Sequence, residues 1–366
     1  MKTLGTLGTG MLLLVLGATA VAYDLNEKLS IGGVIAGSMQ CQRLYGKAGA
    51  DNDCQGALPI QPEASYRPTE HDEMFIKFGF AIGNGLTDEA PFVLAPWAAD
   101  LHDDVNNING SSRNYLLTAW YRHTFIPRQG SSVDATIGII DATDYLDENT
   151  YSNDEYRQFM NEALVNGPNT FLPSYDVGGA LLWDTGSWSL RGVVMNVNEN
   201  DDGNEYLFYG AQLGYTLQSR FGEGNYRVLL DRTSKDFLAS NGESRHKRTS
   251  ILFSLDQQLG DLLGAFLRFG WQDESAAVDY HGIWSGGIDI HGMSWMRGED
   301  NIGLGYAYLD GGNLGIRHSQ AAEAYYRFVI DDYFALTADV QYMKDDLRNQ
   351  ENPAGFIYGL RITSEF

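Results

Sequence analysis

The last stretch of the chain constrains the fold more than any other. From Gly355 to Phe366, Phe356, Tyr358, Leu360, Ile362 and Phe366 share one face, while Gly359, Arg361, Thr363 and Glu365 share the other. A period of two marks a strand with one apolar and one polar side. The same alternation recurs along the chain in segments of about ten residues separated by turn residues. Apart from a short N-terminal run, no segment approaches the length of a membrane-crossing helix. The 42 Gly, 21 Tyr, 17 Phe and 7 Trp, with 20% charged residues, suit strands that are greasy on one side only.

Both ends point to an envelope compartment. Lys2, the apolar run Met11 to Gly17 and the small-residue site Ala20-Val21-Ala22 have the layout of a secretory signal peptide, so residues 1–22 are set apart from the fold. The terminal strand ending in Phe366 resembles the closing strand of bacterial outer-membrane proteins, which the barrel assembly machinery reads. The expected fold class is an all-β transmembrane antiparallel barrel spanning 23–366, embedded among outer-membrane lipid and lipopolysaccharide. In that oxidising setting Cys41 and Cys54 are expected to form a disulfide that staples a short loop.

Alternating segments are predicted at 29–40, 57–67, 73–83, 115–126, 132–140, 175–183, 188–198, 205–218, 226–234, 248–258, 263–272, 280–290, 301–309, 320–330, 334–343 and 355–366. That is sixteen, with fourteen and eighteen as the neighbouring even counts. Short and long connections are expected to alternate strictly, placing both termini at the periplasmic side. A barrel this wide is expected to hold a water-filled channel rather than a packed core.

Alternation also assigns faces. Lys77, Arg122, Arg191, Arg227, Arg268, Arg327 and Arg361 point into the lumen, as do Glu63, Asp134, Asp176, Asp231, Glu323 and Asp339. A cation held against acyl chains at the midplane costs roughly 2–4 kcal/mol, so the inward assignment is forced. Such groups either form a solvated, mutually paired wall or a basic stripe that orients hydroxylated or anionic solutes.

The insertion from Asp141 to Pro173 follows the fifth strand and is the third outward connection. Ser152 and Glu155 have capping-box spacing, and Tyr156, Phe159, Met160 and Leu164 follow at helical spacing. A short helix with one apolar face has nothing to pack on outside. It is therefore expected to fold back onto the inner wall and narrow the pore, the competing reading being a helix that caps the outside.

The run from Asp144 to Asn161, continuing through Ala163 to Asn166 and Tyr175 to Ala180, resembles the carbohydrate-selective porin (OprB) family. So do Glu323-Ala324-Tyr325-Tyr326-Arg327-Phe328 and Leu336 to Tyr342, with Ala338 where the family pattern has Pro. The resemblance implies a sixteen-stranded barrel with an inward loop that passes glucose and related sugars by facilitated diffusion. Sugar sites combine aromatic faces with hydrogen-bonding charged groups. The candidates are Trp97, Trp120 and Tyr325 for the first role, and Lys77, Arg122, Arg191, Arg268 and Arg361 with Glu63 for the second. A general or anion-preferring pore using the same arginines is the competing reading.

Other classes find little support. The formal charge of −23 disfavours nucleic acid as a partner. No nucleophile-elbow or zinc-protease motif occurs, and the seven histidines lack metal-ligand spacing. No cofactor is expected. The acidic stretch Asn198 to Gly203 offers Ca²⁺ only an incomplete ligand loop. Either a monomer or a homotrimer is compatible with the sequence.

Overall fold

Aromatic and β-branched residues on one side of each segment favour extended backbone, and Gly, Asn and Asp between segments supply the turns. The computed structural model describes residues 23–45, 52–87, 89–111, 113–200 and 202–366, so the leader at 1–22 lies outside the described residues. Sixteen antiparallel strands close into a barrel. They are β1 Leu29–Tyr45, β2 Cys54–Thr69, β3 Asp72–Phe78 resuming as Phe80–Ile82, β4 Leu116–Arg128, β5 Ser131–Ile140 and β6 Asp176–Thr185. Then come β7 Trp188–Val197, β8 Tyr206–Ser219, β9 Gly222–Thr233, β10 Thr249–Leu259 and β11 Leu263–Gln272. Last are β12 Tyr280–His291, β13 Asn301–Gly311, β14 Ile316–Val329, β15 Phe334–Leu347 and β16 Ala354–Glu365. Each matches one predicted segment.

Closure is made by β1 and β16, paired from Val34↔Glu365 to Tyr45↔Ala354. A short N-terminal strand, Tyr23–Asn26, doubles back on the start of β1. At the periplasmic rim, Gly130 and Gly186 take φ of 76° and 58°, which lets two-residue turns join β4 to β5 and β6 to β7. Cys41 and Cys54 face each other across β1 and β2 and are disulfide-bonded, with Cα atoms 4.0 Å apart.

Strict alternation of connection length fails from β12 to β15. The periplasmic connection 292–300 is longer than the outward connection 312–315, which is also no longer than the periplasmic connection 330–333. A short helical turn, Gly292–Trp295, and the Arg297–Asp300 ion pair at 2.5 Å occupy the extra chain.

Residues that alternate with the inward set form a lipid-facing band: Met74, Phe80, Ile82, Phe125, Leu230 and Leu267 are all exposed on the barrel surface. The expectation of a wholly water-filled lumen needs correction. Two outward loops, 83–115 (L2) and 141–175 (L3), fold into the barrel. They build an apolar core with the inner wall. Leu86, Leu94, Tyr145, Leu146, Phe159 and Leu164 pack there against Phe208, Leu252, Phe266 and Tyr325.

Candidate channel constriction

L3 is fixed to the wall by inward groups, of which alternation had placed Arg268, Glu323 and Arg361 inside the barrel. Gln212 Oε1 on β8 accepts from Asp147 N at 2.9 Å, and Asp256 on β10 accepts from Thr150 Oγ1 at 3.0 Å. Arg268 on β11 is fully buried. It donates to Asp147 Oδ1 at 2.7 Å and to Ser152 Oγ at 2.8 Å. On β14, Glu323 accepts from Met160 N and Asn161 N at 2.7 and 2.9 Å. Arg361 on β16 donates to the carbonyls of Glu155 and Gln158 at 2.5 and 2.9 Å. L3 therefore covers the inner wall from β8 round to β16.

The residues predicted for the helical face, Tyr156, Phe159, Met160 and Leu164, are all buried. The helix itself is shorter and later, Glu162–Val165, capped by the Asn161 side chain bonding Ala163 N at 3.1 Å. Ser152 is not its cap. The Asp154 carboxylate takes the amides of Tyr156 and Arg157, each at 2.9 Å, and turns the chain there instead.

Of L2, only Trp97 was expected at the lumen. Pro96 O accepts from Gln40 on β1 at 3.2 Å and Gln341 on β15 at 2.8 Å, and Asp100 accepts from Gln61 on β2 at 2.6 Å. The two loops are also fastened to each other. Trp97 Nε1 donates to Glu155 O at 3.0 Å, Ala98 N to Met160 O at 2.9 Å, and Glu162 N to Ala95 O at 3.1 Å.

This arrangement divides the predicted site residues. Arg268, Arg361, Trp97 and Tyr325 are not channel-lining. All four are buried at 2% exposure or less, and they hold or back the loops. Tyr325 packs edge-on against Phe159 with ring centroids 5.1 Å apart. Arg327 stands near the end of β14, 3.8 Å from Glu365, which also pairs with Arg157 of L3.

Most of the other predicted residues come together on the wall that L3 leaves open, while Arg227 on β9 stands within the arc that L3 covers. Glu63 and Lys77 are register partners on β2 and β3. Phe75 and Trp120 stack with centroids 5.0 Å apart at 20°, and the Arg122 guanidinium lies 4.6 Å from the Trp120 ring centre. Arg122 also reaches Glu73 at 3.7 Å and donates to Thr136 Oγ1 at 3.3 Å, and its charge acts on Tyr145 of L3. Further round, Arg191 pairs with Asp184 at 2.8 Å and Arg227 with Asp256 at 2.5 Å.

L3 presents carboxylates to this wall. Asp144, exposed to the lumen, acts electrostatically on Lys77. Glu148 lies in the field of Arg191 and Arg227. Burial raises its carboxyl above the usual range, and the two arginines pull against that rise. At the base of the loop, burial and then the neighbouring Asp144 push Asp141 up to about 7, against the hydrogen bonds from Thr143.

Glu73, Phe75, Asp144 and Glu148 were therefore missing from the candidate set. Register alone places Glu73 beside Arg122 and Phe75 beside Trp120. The L3 carboxylates carry no alternation signal.

The chain resembles known channels over most of its length. The model of the carbohydrate-selective porin, OprB family, matches residues 224–366, which contains the second of the two resembling blocks. An uncharacterized protein of Aquifex aeolicus is 30% identical over 304 residues, covering 80% of this chain and 84% of that protein. Among solved structures, Pseudomonas putida OprB at high pH superposes with a TM-score of 0.73 at 15% identity, over 93% of this chain and 94% of that one. Pseudomonas aeruginosa OccK2 in complex with glucuronate gives 0.55 at 9% identity, over 92% and 98%. The anion-selective porin of Comamonas acidovorans gives 0.53 at 11%, over 92% and 99%. These structures share the closed barrel. With its sequence blocks and its sixteen-stranded wall, the chain is an outer-membrane porin and belongs to the carbohydrate-selective OprB family.

Proposed function

We propose that this porin passes small, glucose-like carbohydrates in preference to anions. The observation that carries the reading is charge pairing beside an aromatic platform. Arg122, Arg191 and Arg227 each face a carboxylate, Glu73, Asp184 and Asp256. Paired in this way, the arginines retain little net field to concentrate anions, yet they keep directional N–H donors for hydroxyl groups. The Phe75–Trp120 stack offers the flat apolar surface that a pyranose ring covers. Binding must stay weak, because a tightly held solute blocks conduction.

The test is conductance in planar bilayers. Saturable reduction of ion current by glucose, with a reversal potential near zero in a salt gradient, is the expected result. A strongly anion-directed reversal potential without sugar block would replace this reading with that of an anion-preferring pore.

A further inference from the structure

We infer that the outer face of β15, β16, β1 and β2 holds a lipopolysaccharide molecule, with phosphate on Arg43 and Lys344 and an acyl chain in the groove below. Strand direction puts both residues at the extracellular end, on the lipid side. Arg43 stands opposite Phe356, Lys344 opposite Ala354, and β16 runs between them. Two strand spacings sideways and two residues lengthwise separate their backbones by roughly 12 Å. Two long cationic side chains can share a phosphorylated headgroup across that span.

Among the described residues neither cation makes a hydrogen bond or a close ion pair, and Lys344 meets a carboxylate only through the longer-range field of Asp346. The carboxylate nearest Lys344 on that face, Asp346, is taken by Arg317 at 2.7 Å. Asp310 lies opposite His318, and Asp53 is engaged by its own turn through Cys54 N at 2.8 Å and Gln55 Nε2 at 2.7 Å. Tyr45, Phe356 and Tyr342 form an edge-packed aromatic group between the two cations. Amphipathic rings of this kind mark headgroup level.

Below them the surface is hollow. A groove of about 550 Å³ is lined by Gly37, Gly56, Met39, Leu58, Leu360 and Ile362 among others. It lies four to six residues below Arg43 along β1, or roughly 13–20 Å. One leaflet of a ~30 Å hydrocarbon core is about 15 Å deep. An acyl chain hung from a headgroup at Arg43 and Lys344 therefore ends in the groove. Charge above and a hollow at the matching depth select an anionic outer-leaflet lipid as occupant.

The experiment is native mass spectrometry of the delipidated full-length porin with added diphosphoryl lipid A, its dephosphorylated form, or phosphatidylglycerol. One lipid A per barrel is expected, with neither other lipid retained. Reversing both charges, R43E with K344E, is expected to weaken retention by roughly tenfold or more, as loss of two charge-assisted contacts requires. Gly37→Leu, which fills the groove and leaves the cations in place, is expected to weaken it less. Heat-modifiable mobility and unchanged conductance of each variant establish that the barrel has folded. Equal retention by the charge-reversed variant, equal retention of phosphatidylglycerol, or a second copy of the chain crosslinked over Gly37 would each overturn the assignment.

Discussion

Arg268 Nε stands 2.7 Å from Asp147 Oδ1, and both side chains are wholly excluded from solvent. The pair joins the middle of β11 to the root of L3, and Arg268 adds a bond to Ser152 O at 2.5 Å on the far side of the same bend. Removing one partner of such a pair leaves the other charge buried and unmatched, at a cost of about 3–5 kcal/mol. Arg268→Ala is therefore expected to release L3, raise single-channel conductance and expose the loop to protease. Replacing both partners together, Arg268→Met with Asp147→Asn, which tolerates the φ of 57° there and can still accept from Gly167 N, is expected to restore most of the resistance. Equal protease sensitivity in wild type and Arg268→Ala would remove the pair from its anchoring role.

Glu323 serves the second anchor through two backbone amides. Glu323→Gln keeps one acceptor oxygen and turns an NH2 donor toward the other amide, so a loss of roughly 1–3 kcal/mol in loop attachment is expected. Hydrogen exchange at Met160 and Asn161 is the direct measurement, and both amides are expected to exchange faster in the variant.

The stacked platform carries the sugar reading. Trp120→Ala is expected to raise the glucose concentration for half-maximal current block by about two- to twelvefold, as loss of about 0.5–1.5 kcal/mol of aromatic contact implies. The reversal potential is expected to stay where it was. A Trp120→Ala channel blocked as readily as wild type would sink the platform.

Charge pairing makes a separate prediction. Glu148→Gln leaves Arg191 and Arg227 with one fewer opposing carboxylate. The reversal potential in a potassium chloride gradient is expected to move toward chloride, with the barrel otherwise intact. A shift toward potassium would contradict the placement of Glu148.

Asp141 gives L3 a pH dependence of defined sign. Its folded pKa of about 7 stands above the ordinary 3.8, so the unfolded form loses its proton first as pH rises. Loop attachment is firmest below about pH 4, weakens as pH climbs toward 7, and changes little above that. Asp141→Asn keeps the side-chain oxygen that accepts from Thr143 N at 2.9 Å and is expected to flatten the profile. Protease nicking of L3 measured from pH 4 to 8 checks both statements.

The barrel was legible because alternation is a physical requirement: lipid on one side and water or packed loop on the other leave no freedom at each position. That is why β1 to β16 each fell on a predicted segment. The same rule misled at Arg268 and Arg361. Alternation reports which side of the wall a residue faces, and says nothing of what lies against that side. L2 escaped for a related reason. Its inward fold rests on scattered contacts such as Pro96 O to Gln40 and Gln341, and these leave no period in the sequence. The burial of Phe159 and Leu164 could be read from their spacing, yet the helix could not, because Asp154 competes for the amides that would have begun it.

The fastening of Trp97 to Glu155 has a consequence for how such a pore can diversify. The strand count sets the bore of the hull, while two interlocked loops act as a reducing sleeve inside it. Residues at the sleeve's open edge, Asp144 and Glu148 among them, can change without disturbing strand register, outer girdle or closing seam. Sieve and hull are thus separable parts, and a lineage can refit the first many times while inheriting the second unchanged.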